Sequence, residues 1–180
     1  MIKTSIVNVV ATAALDQRLD LEELRTCSQI LHDPEIYGGR VAYFRSPEIR
    51  GEVTIFPSGK MISAGTKSEV EAFGALDHVK EFLAEKGFIA PLLLKKKIQN
   101  IVVVVDFSRQ VNLEKLAQTH SKIVYEPERF PGAILRLEEP SRATALIYTS
   151  GKAVIAGLRS SMEIEPLARK LEEIVKPYTY

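Results

Sequence analysis

One cysteine, three histidines and no tryptophan leave this chain little of the chemistry on which most catalytic or metal-binding proteins rely. With Cys27 alone, no internal disulfide can form, which suits a reducing compartment. His32 follows Cys27 closely, but a nucleophile pair needs a third group to orient its base, and the sequence suggests none. His78 and His120 lack a second ligand at metal spacing, so no zinc or other metal is expected. No Gly-rich loop leads from a strand into a helix, as a phosphate cradle requires. Nor is there a run of about 18 apolar residues, and Met1-Ile2-Lys3-Thr4 passes directly into a strand pattern. Neither a membrane span nor a targeting extension is therefore expected, and the reading is of an intracellular protein. Charge of one sign is also missing: 24 Lys and Arg against 23 Asp and Glu leave a net charge of +1. Any nucleic-acid, membrane or acidic partner must then be argued from local features. Neither enzymatic activity nor a cofactor is expected.

What the chain does have is a second copy of itself. Val7-Asn8-Val9-Val10 is echoed by Gln99-Asn100-Ile101-Val102, and Leu21-Glu22-Glu23-Leu24 by Leu113-Glu114-Lys115-Leu116. Ser58-Gly59-Lys60 returns as Ser150-Gly151-Lys152, and Ala64-Gly65 as Ala156-Gly157, each 92 residues on. Asp33-Pro34-Glu35 answers Glu126-Pro127-Glu128, and Pro47 answers Pro140, 93 residues on. Solenoid repeats recur at about 20–50 residues, so a period this long makes each copy a half-domain with its own strands and helices. The expected division is a first repeat at 1–88, a linker at 89–97 and a second repeat at 98–180. The linker is apolar and then basic, ending in Lys95-Lys96-Lys97, which read as solvated charges. It is too short for a flexible tether.

Periodicity orders the elements within each copy. Ser5 to Leu15 is β-branched and apolar, a strand; Leu19 to Leu24 favours a short helix with Asp20 near its start. Arg40 to Arg45 is a strand, and Gly51 to Phe56 joins Met61 to Gly65 through Pro57-Ser58-Gly59-Lys60 as a hairpin. From Ser68 to Lys86, Val70, Phe73, Leu76, Val79, Phe82 and Leu83 recur at helical steps, with Ser68 and Glu71 as a capping box and Gly87 as the stop. The second copy repeats this order with a strand from Ile98 to Phe107 and a helix from Leu113 to Gln118. Strands at Ala133 to Leu137, Thr144 to Tyr148 and Ala153 to Gly157 follow, and a helix from Ser161 to Lys176. The simplest packing is one antiparallel sheet with all helices on one side.

A sheet covered on one side alternates apolar inward with polar outward, yet these strands are apolar on both faces. Val7, Val9, Ala11, Ala13 and Ile101, Val103, Val105 form one set. The other contains Asn8, Val10, Phe56, Ile62, Ala64 and Asn100, Val102, Leu146, Tyr148, Val154, Ala156. An amide left unpaired in a core costs roughly 1–3 kcal/mol, so the set holding the asparagines is expected to face away from the helices. A broad apolar patch carrying paired amides marks a binding surface. The residues alone also allow a plainer reading. In it Asn8 and Asn100 bond backbone at strand edges, Phe56 and Tyr148 are core, and the lysines of Ser-Gly-Lys are solvated turn charges.

Over nearly its whole length, and in both copies, the chain resembles the TATA-box-binding protein family as a divergent, archaeal-type member. Val7 to Thr12, Ile98 to Val102, Ile55 to Lys60, Tyr125 to Gly132 and Leu146 to Lys152 carry the resemblance through their shared order and spacing. It implies an α+β fold, a saddle whose two pseudo-symmetric repeats form one curved antiparallel sheet with helices on the convex face. The concave face would lie on the minor groove of A·T-rich double-stranded DNA. Carried over by position, the family's central amides fall on Asn8 and Asn100, flanked by Val10 and Val102. Its intercalating phenylalanines fall on Tyr37, Phe56, Phe130 and Tyr148. Phosphate contacts would come from Ser58, Lys60, Ser150 and Lys152, with Arg45 and Arg136 beside them. The family's base-contacting threonines match Ala64 and Ala156, and Tyr43 stands where the first half would match Arg136. The loop Glu48 to Glu52 exceeds the family norm.

The function so implied is that of a general transcription initiation factor that binds and bends TATA-box promoters and recruits transcription factor B, and RNA polymerase indirectly. Glu126, Glu128 and Arg129 match the family's contact to transcription factor B. Free of DNA, a homodimer through the apolar face is a further expectation. Localisation would be cytoplasmic and nucleoid-associated in an archaeon, nuclear in a eukaryote. The alternative is a paralogue with the same fold and altered DNA preference, acting through protein contacts.

Overall fold

The structure, a computed structural model, describes residues 2–139 and 141–180. Pro140, the expected counterpart of Pro47, lies outside them. The chain forms two compact units, Asn8–Gln99 and Asn100–Tyr180 with the N-terminal residues to Val7. Both boundaries fall inside strands, β1 (Lys3–Ala14) and β6 (Lys97–Asp106).

In the Asn8–Gln99 unit, β1 leads through α1 (Leu21–Leu24), β2 (Ile30–Leu31) and a 3-10 turn at Ile36–Gly39 to β3 (Ala42–Phe44). Then come β4 (Glu52–Ile55), β5 (Lys60–Thr66) and α2 (Glu69–Glu85). The strand order is β2-β3-β4-β5-β1, antiparallel throughout. In the other unit, β6 is followed by α3 (Leu113–Thr119), β7 (Ile123–Val124), β8 (Ala133–Leu137), β9 (Ala143–Ile147), β10 (Lys152–Leu158) and α4 (Ile164–Val175). Here the order is β6-β10-β9-β8-β7, again antiparallel. The expected elements are present with ends displaced by a few residues. The two-residue edge strands β2 and β7 were not expected, because two residues carry no measurable alternation.

Local chemistry accounts for the helix ends. Asp20 accepts from the Glu22 amide at 2.9 Å, Ser68 from Glu71 at 3.0 Å and Asn112 from Lys115 at 3.0 Å. The Glu71 carboxylate does not close the expected box on Ser68; it accepts from the Lys67 amide one residue earlier at 2.8 Å. The complete reciprocal box stands in the other unit, between Ser160 and Glu163. Burial alone would raise the Glu163 carboxyl, but donors from the Arg159 amide, the Ser141 hydroxyl and the Ser160 amide outweigh it and hold the group below its ordinary value. That cap therefore contributes stability at neutral pH and loses it as acid protonates the carboxylate. Gly87, at φ 81°, ends α2: its amide reaches the Ala84 carbonyl and that of Phe88 the Leu83 carbonyl.

The core of each unit lies between one sheet face and its helices. Ala72, Ala75, Leu76, Val79 and Leu83 of α2 are buried, with Phe82 edge-on to buried Phe44 at 5.0 Å between ring centroids. Val70 was expected on that stripe but is 81% exposed, since it lies on the far side of the helix. Val7 likewise is not buried, at 39% exposure. Lys96 departs from the solvated linker reading: it pairs with Asp77, and its ammonium stands 5.6 Å from the Phe73 ring centroid.

One buried group of the first core is unsatisfied. The Ser63 hydroxyl is fully buried with no hydrogen-bond partner among the described residues, where Ile155 occupies the repeated position. Thr66, also buried, bonds the Val9 carbonyl at 3.0 Å. Replacing Ser63 by Ala removes a stranded polar group, and we expect stabilisation of about 1 kcal/mol, read as a raised urea midpoint at unchanged slope. An equal or lower midpoint would show the hydroxyl to be satisfied in solution.

Candidate nucleic-acid interface

Each unit leaves one sheet face without a helix over it. In the first, Val9, Ala11, Ala13, Val53, Ile55 and Met61 are buried, whereas Asn8, Val10, Thr12, Thr54, Phe56, Ile62 and Ala64 are half-exposed. In the second, Ile101, Val103, Val105, Ala145, Ile147, Ala153 and Ile155 are buried, and Asn100, Val102, Leu146, Tyr148, Val154 and Ala156 are half-exposed. Cross-strand register carries the partition across each sheet. Thr54 faces Ile62, which faces Thr12; Ile134 faces Leu146, which faces Val154.

A β-bulge in each unit fixes the asparagines. The β1–β5 ladder slips between Val9 and Ala11, and the β10–β6 ladder between Ile155 and Leu158. Gly65 at φ 84° and Gly157 at φ 102° take the left-handed conformation that such a bulge demands. Each bulge frees an amide from the ladder, and an asparagine oxygen takes it up: Asn8 Oδ1 accepts from Gly65 N at 2.8 Å, Asn100 Oδ1 from Gly157 N at 2.8 Å. With the carbonyl so engaged, the amino group of each amide has no partner among the described residues. The plainer reading of these residues is thus half right, since their oxygens do bond backbone. The bulge also reverses the alternation, which is why Thr66 and Leu158 are buried immediately past it.

Aromatic positions differ between the units. Phe130 and Tyr148 stand 6.0 Å apart by ring centroid, tilted by 59°. Beneath them lies buried Gly132, where a Cβ would come within 2.8 Å of the Phe130 ring and 3.2 Å of the Tyr148 ring. In the other unit Tyr37 sits at φ 51° in the Ile36–Gly39 turn, 72% exposed, and Phe56 is half-exposed on the sheet.

The hairpin turns are built alike. Gly59 N donates to the Phe56 carbonyl and Gly151 N to that of Tyr148, at 2.9 and 3.0 Å. Both glycines are buried at positive φ, while Ser58, Lys60, Ser150 and Lys152 are exposed. The arginines do not match. Arg45 Nε bonds Glu52 Oε2 at 2.5 Å, whereas exposed Arg136 has no ion-pair partner among the described residues. In the loop before β8, Glu126 and Arg129 form a surface ion pair at 3.1 Å, and Glu128 is exposed.

The residues set aside as non-catalytic find separate partners. His32 bonds the Val41 carbonyl at 2.7 Å, His78 approaches Glu48 at 3.1 Å, and His120 packs edge-on to Tyr178. Among the described residues no group of three His, Cys, Asp or Glu could hold a metal. No described helix is long and apolar enough to cross a membrane.

Sequence reasoning set Thr12 on the asparagine face but missed its bond from Gln99 at 2.8 Å, and it missed Glu52 and Gly132 as the floor under two rings. Glu52 was legible, since alternation back from Phe56 sets it on the asparagine face. Gly132 was not, because its contacts depend on how the loop before β8 folds.

The family model described as "Transcription factor TFIID (or TATA-binding protein, TBP)" matches residues 3–86 and again 95–178. The chain is 38% identical to a TATA-box-binding protein of Sulfolobus acidocaldarius, over 93% of its own length and 84% of that protein. It is 36% identical to one of Pyrococcus horikoshii, with 98% and 92% covered. It is also similar to the solved structure titled Methanococcus jannaschii TBP, at TM-score 0.85 and 32% identity, covering 97% of this chain and 99% of that one. The fold class expected from the sequence, α+β with two tandem repeats of antiparallel strands and helices, is the one observed.

Proposed function

This chain belongs to the TATA-box-binding protein family, whose members are DNA-binding transcription factors rather than enzymes, and from that membership we propose a general initiation factor that binds and bends A·T-rich promoter DNA through the minor groove. The observation that carries this reading is the twice-built amide. Asn8 and Asn100 each engage their carbonyl oxygen with a bulge glycine and keep an amino donor free on an apolar face. In the minor groove A·T pairs expose only acceptors, the adenine N3 and thymine O2, whereas G·C adds the guanine amino donor. A surface of apolar contacts with two outward donors therefore suits A·T and is mismatched to G·C.

Around the amides, Val10, Ile62, Ala64, Val102, Leu146, Val154 and Ala156 supply contact with sugars and base edges. Phe56, Phe130, Tyr148 and Tyr37 act as wedges that unstack base steps and bend the duplex. Phosphates are met by Ser58 and Lys60 in one half and by Ser150, Lys152 and Arg136 in the other. Repeat boundaries of 1–88 and 98–180 about a linker at 89–97 accord with this division of labour. Transcription factor B docks on the loop of Glu126, Glu128 and Arg129. There the Glu126–Arg129 pair leaves Glu128 as the unneutralised acid, and RNA polymerase follows through that factor. Without DNA, the same apolar face supports a homodimer. The nucleoid is the proposed location.

Gel-shift titration over A·T-rich and mixed duplexes, with and without transcription factor B, tests the proposal. We expect preference for A·T-rich DNA and a slower ternary band. Equal affinity for all duplexes with no ternary complex would favour a paralogue acting through protein contacts.

A further inference from the structure

Register places one row of side chains across each half on the same face. In the second half the row runs Arg136, Thr144, Ala156. In the first, Glu52 faces Ala64, and continuing the β3–β4 register by one residue sets Arg45 opposite Glu52. By register Arg45, and not Tyr43 as expected from the sequence, is the counterpart of Arg136, because the strands of the first half pair two residues further along. The rows are then equivalent by position, with a basic residue at the rim, Ala at the inner end, and between them Thr144 in one half but a carboxylate in the other. That carboxylate is the Arg45 partner at 2.5 Å, with the Glu52 side chain 30% and the Arg45 side chain 68% exposed.

Resting on the DNA-binding reading, we propose that Glu52 makes the rim arginine's contact with phosphate one-sided: it holds Arg45 in an ion pair and sets a negative charge on the first half's DNA face, so that the second half, through Arg136, carries the rim contact alone. An arginine already neutralised releases no counterion on meeting a phosphate and adds nothing to the salt dependence of binding. A carboxylate beside the groove also repels the phosphates on either side. Exposed ion pairs of this kind are weak, so the pair is releasable once its acid is removed. Glu52 is thus an affinity-setting residue, and Thr144 shows what an uninhibited position holds.

The test is the slope of log affinity against log salt for the full-length protein on one A·T-rich duplex, by fluorescence anisotropy. Arg136→Ala is expected to flatten the slope by about 0.9, the increment for one phosphate. Glu52→Thr, and the near-isosteric Glu52→Gln, are expected to steepen it by about 0.9 and to tighten binding at low salt at least about fivefold. Adding Arg45→Ala to Glu52→Thr is expected to remove the steepening. An unchanged slope in both Glu52 variants, or a steepening that survives Arg45→Ala, overturns the hold of Glu52 on Arg45 and leaves the DNA reading intact. Failure of the unmodified protein to bind any duplex overturns both.

Discussion

Aspartate in place of both Asn8 and Asn100 abolishes duplex binding, by at least about 100-fold, and leaves the fold standing. The substitution is nearly isosteric, and the oxygen that accepts from Gly65 or Gly157 at 2.8 Å is retained, so both bulges keep their partner. What changes is the outward atom. An amino donor becomes a charged acceptor facing groove acceptors and flanking phosphates, and hydrogen bonds involving charged groups are worth about 1.5–3 kcal/mol each. Two such reversals exceed the roughly 2.7 kcal/mol that a 100-fold loss requires. Anisotropy titration measures the loss, and circular dichroism melting reports the fold. Alanine at the same positions should behave differently. It leaves each exposed glycine amide to water and lowers stability by about 0.5–1.5 kcal/mol per site. Wild-type affinity in the double aspartate variant would show that these amides do not meet bases.

Gly151→Ala is expected to cost about 2–4 kcal/mol of stability. A Cβ there would lie 1.8 Å from the Arg109 carbonyl oxygen and 2.7 Å from its carbon, both backbone atoms that no rotamer change can move. The left-handed φ of 81° adds its own strain. Gly59 stands in the same relation to the Gln17 carbonyl at 2.1 Å, so the crowding belongs to the repeat and not to one loop. Gly87 provides the control. Its φ is also 81°, but nothing lies within 4 Å of its Cβ position, so Gly87→Ala should cost only the conformational part, about 1 kcal/mol. The difference between the two melting shifts isolates the backbone clash. Equal shifts would mean that the turn moves off residue 109 without penalty.

Much of this molecule was legible before its coordinates. The repeat announced itself in Ser58-Gly59-Lys60 and Ser150-Gly151-Lys152, and simple alternation separated Val9, Ala11 and Ala13 from Asn8, Val10 and Thr12 as the structure does. Alternation failed beyond Gly65, where the bulge adds a residue and Thr66 turns inward to bond the Val9 carbonyl. A glycine in a strand hints at such a slip without stating its direction. Long-range pairings were out of reach for another reason. Arg45 with Glu52, Lys96 with Asp77 and Gln17 with the Phe88 carbonyl join exposed or linker residues whose meeting depends on loop paths. Unequal aromatic pairs were hidden likewise, since Tyr37 and Phe130 occupy matched positions but only the latter packs on a ring.

The paired bulges bear on how this sheet tolerates insertion and loss. Ala64 and Gly65 together oppose Val10, so deleting Gly65 would restore one-to-one pairing with Thr66 still turned inward, and the Asn8 oxygen would lose the amide it accepts from. Gly157 is the extra residue opposite Val102 in the same way, and its amide serves Asn100. Each glycine acts as a spacer that lets a strand be read in one frame up to the asparagine and in the opposite frame after it. Shortening at either point would therefore be felt by the asparagine amide on the open face and not by the core beneath it.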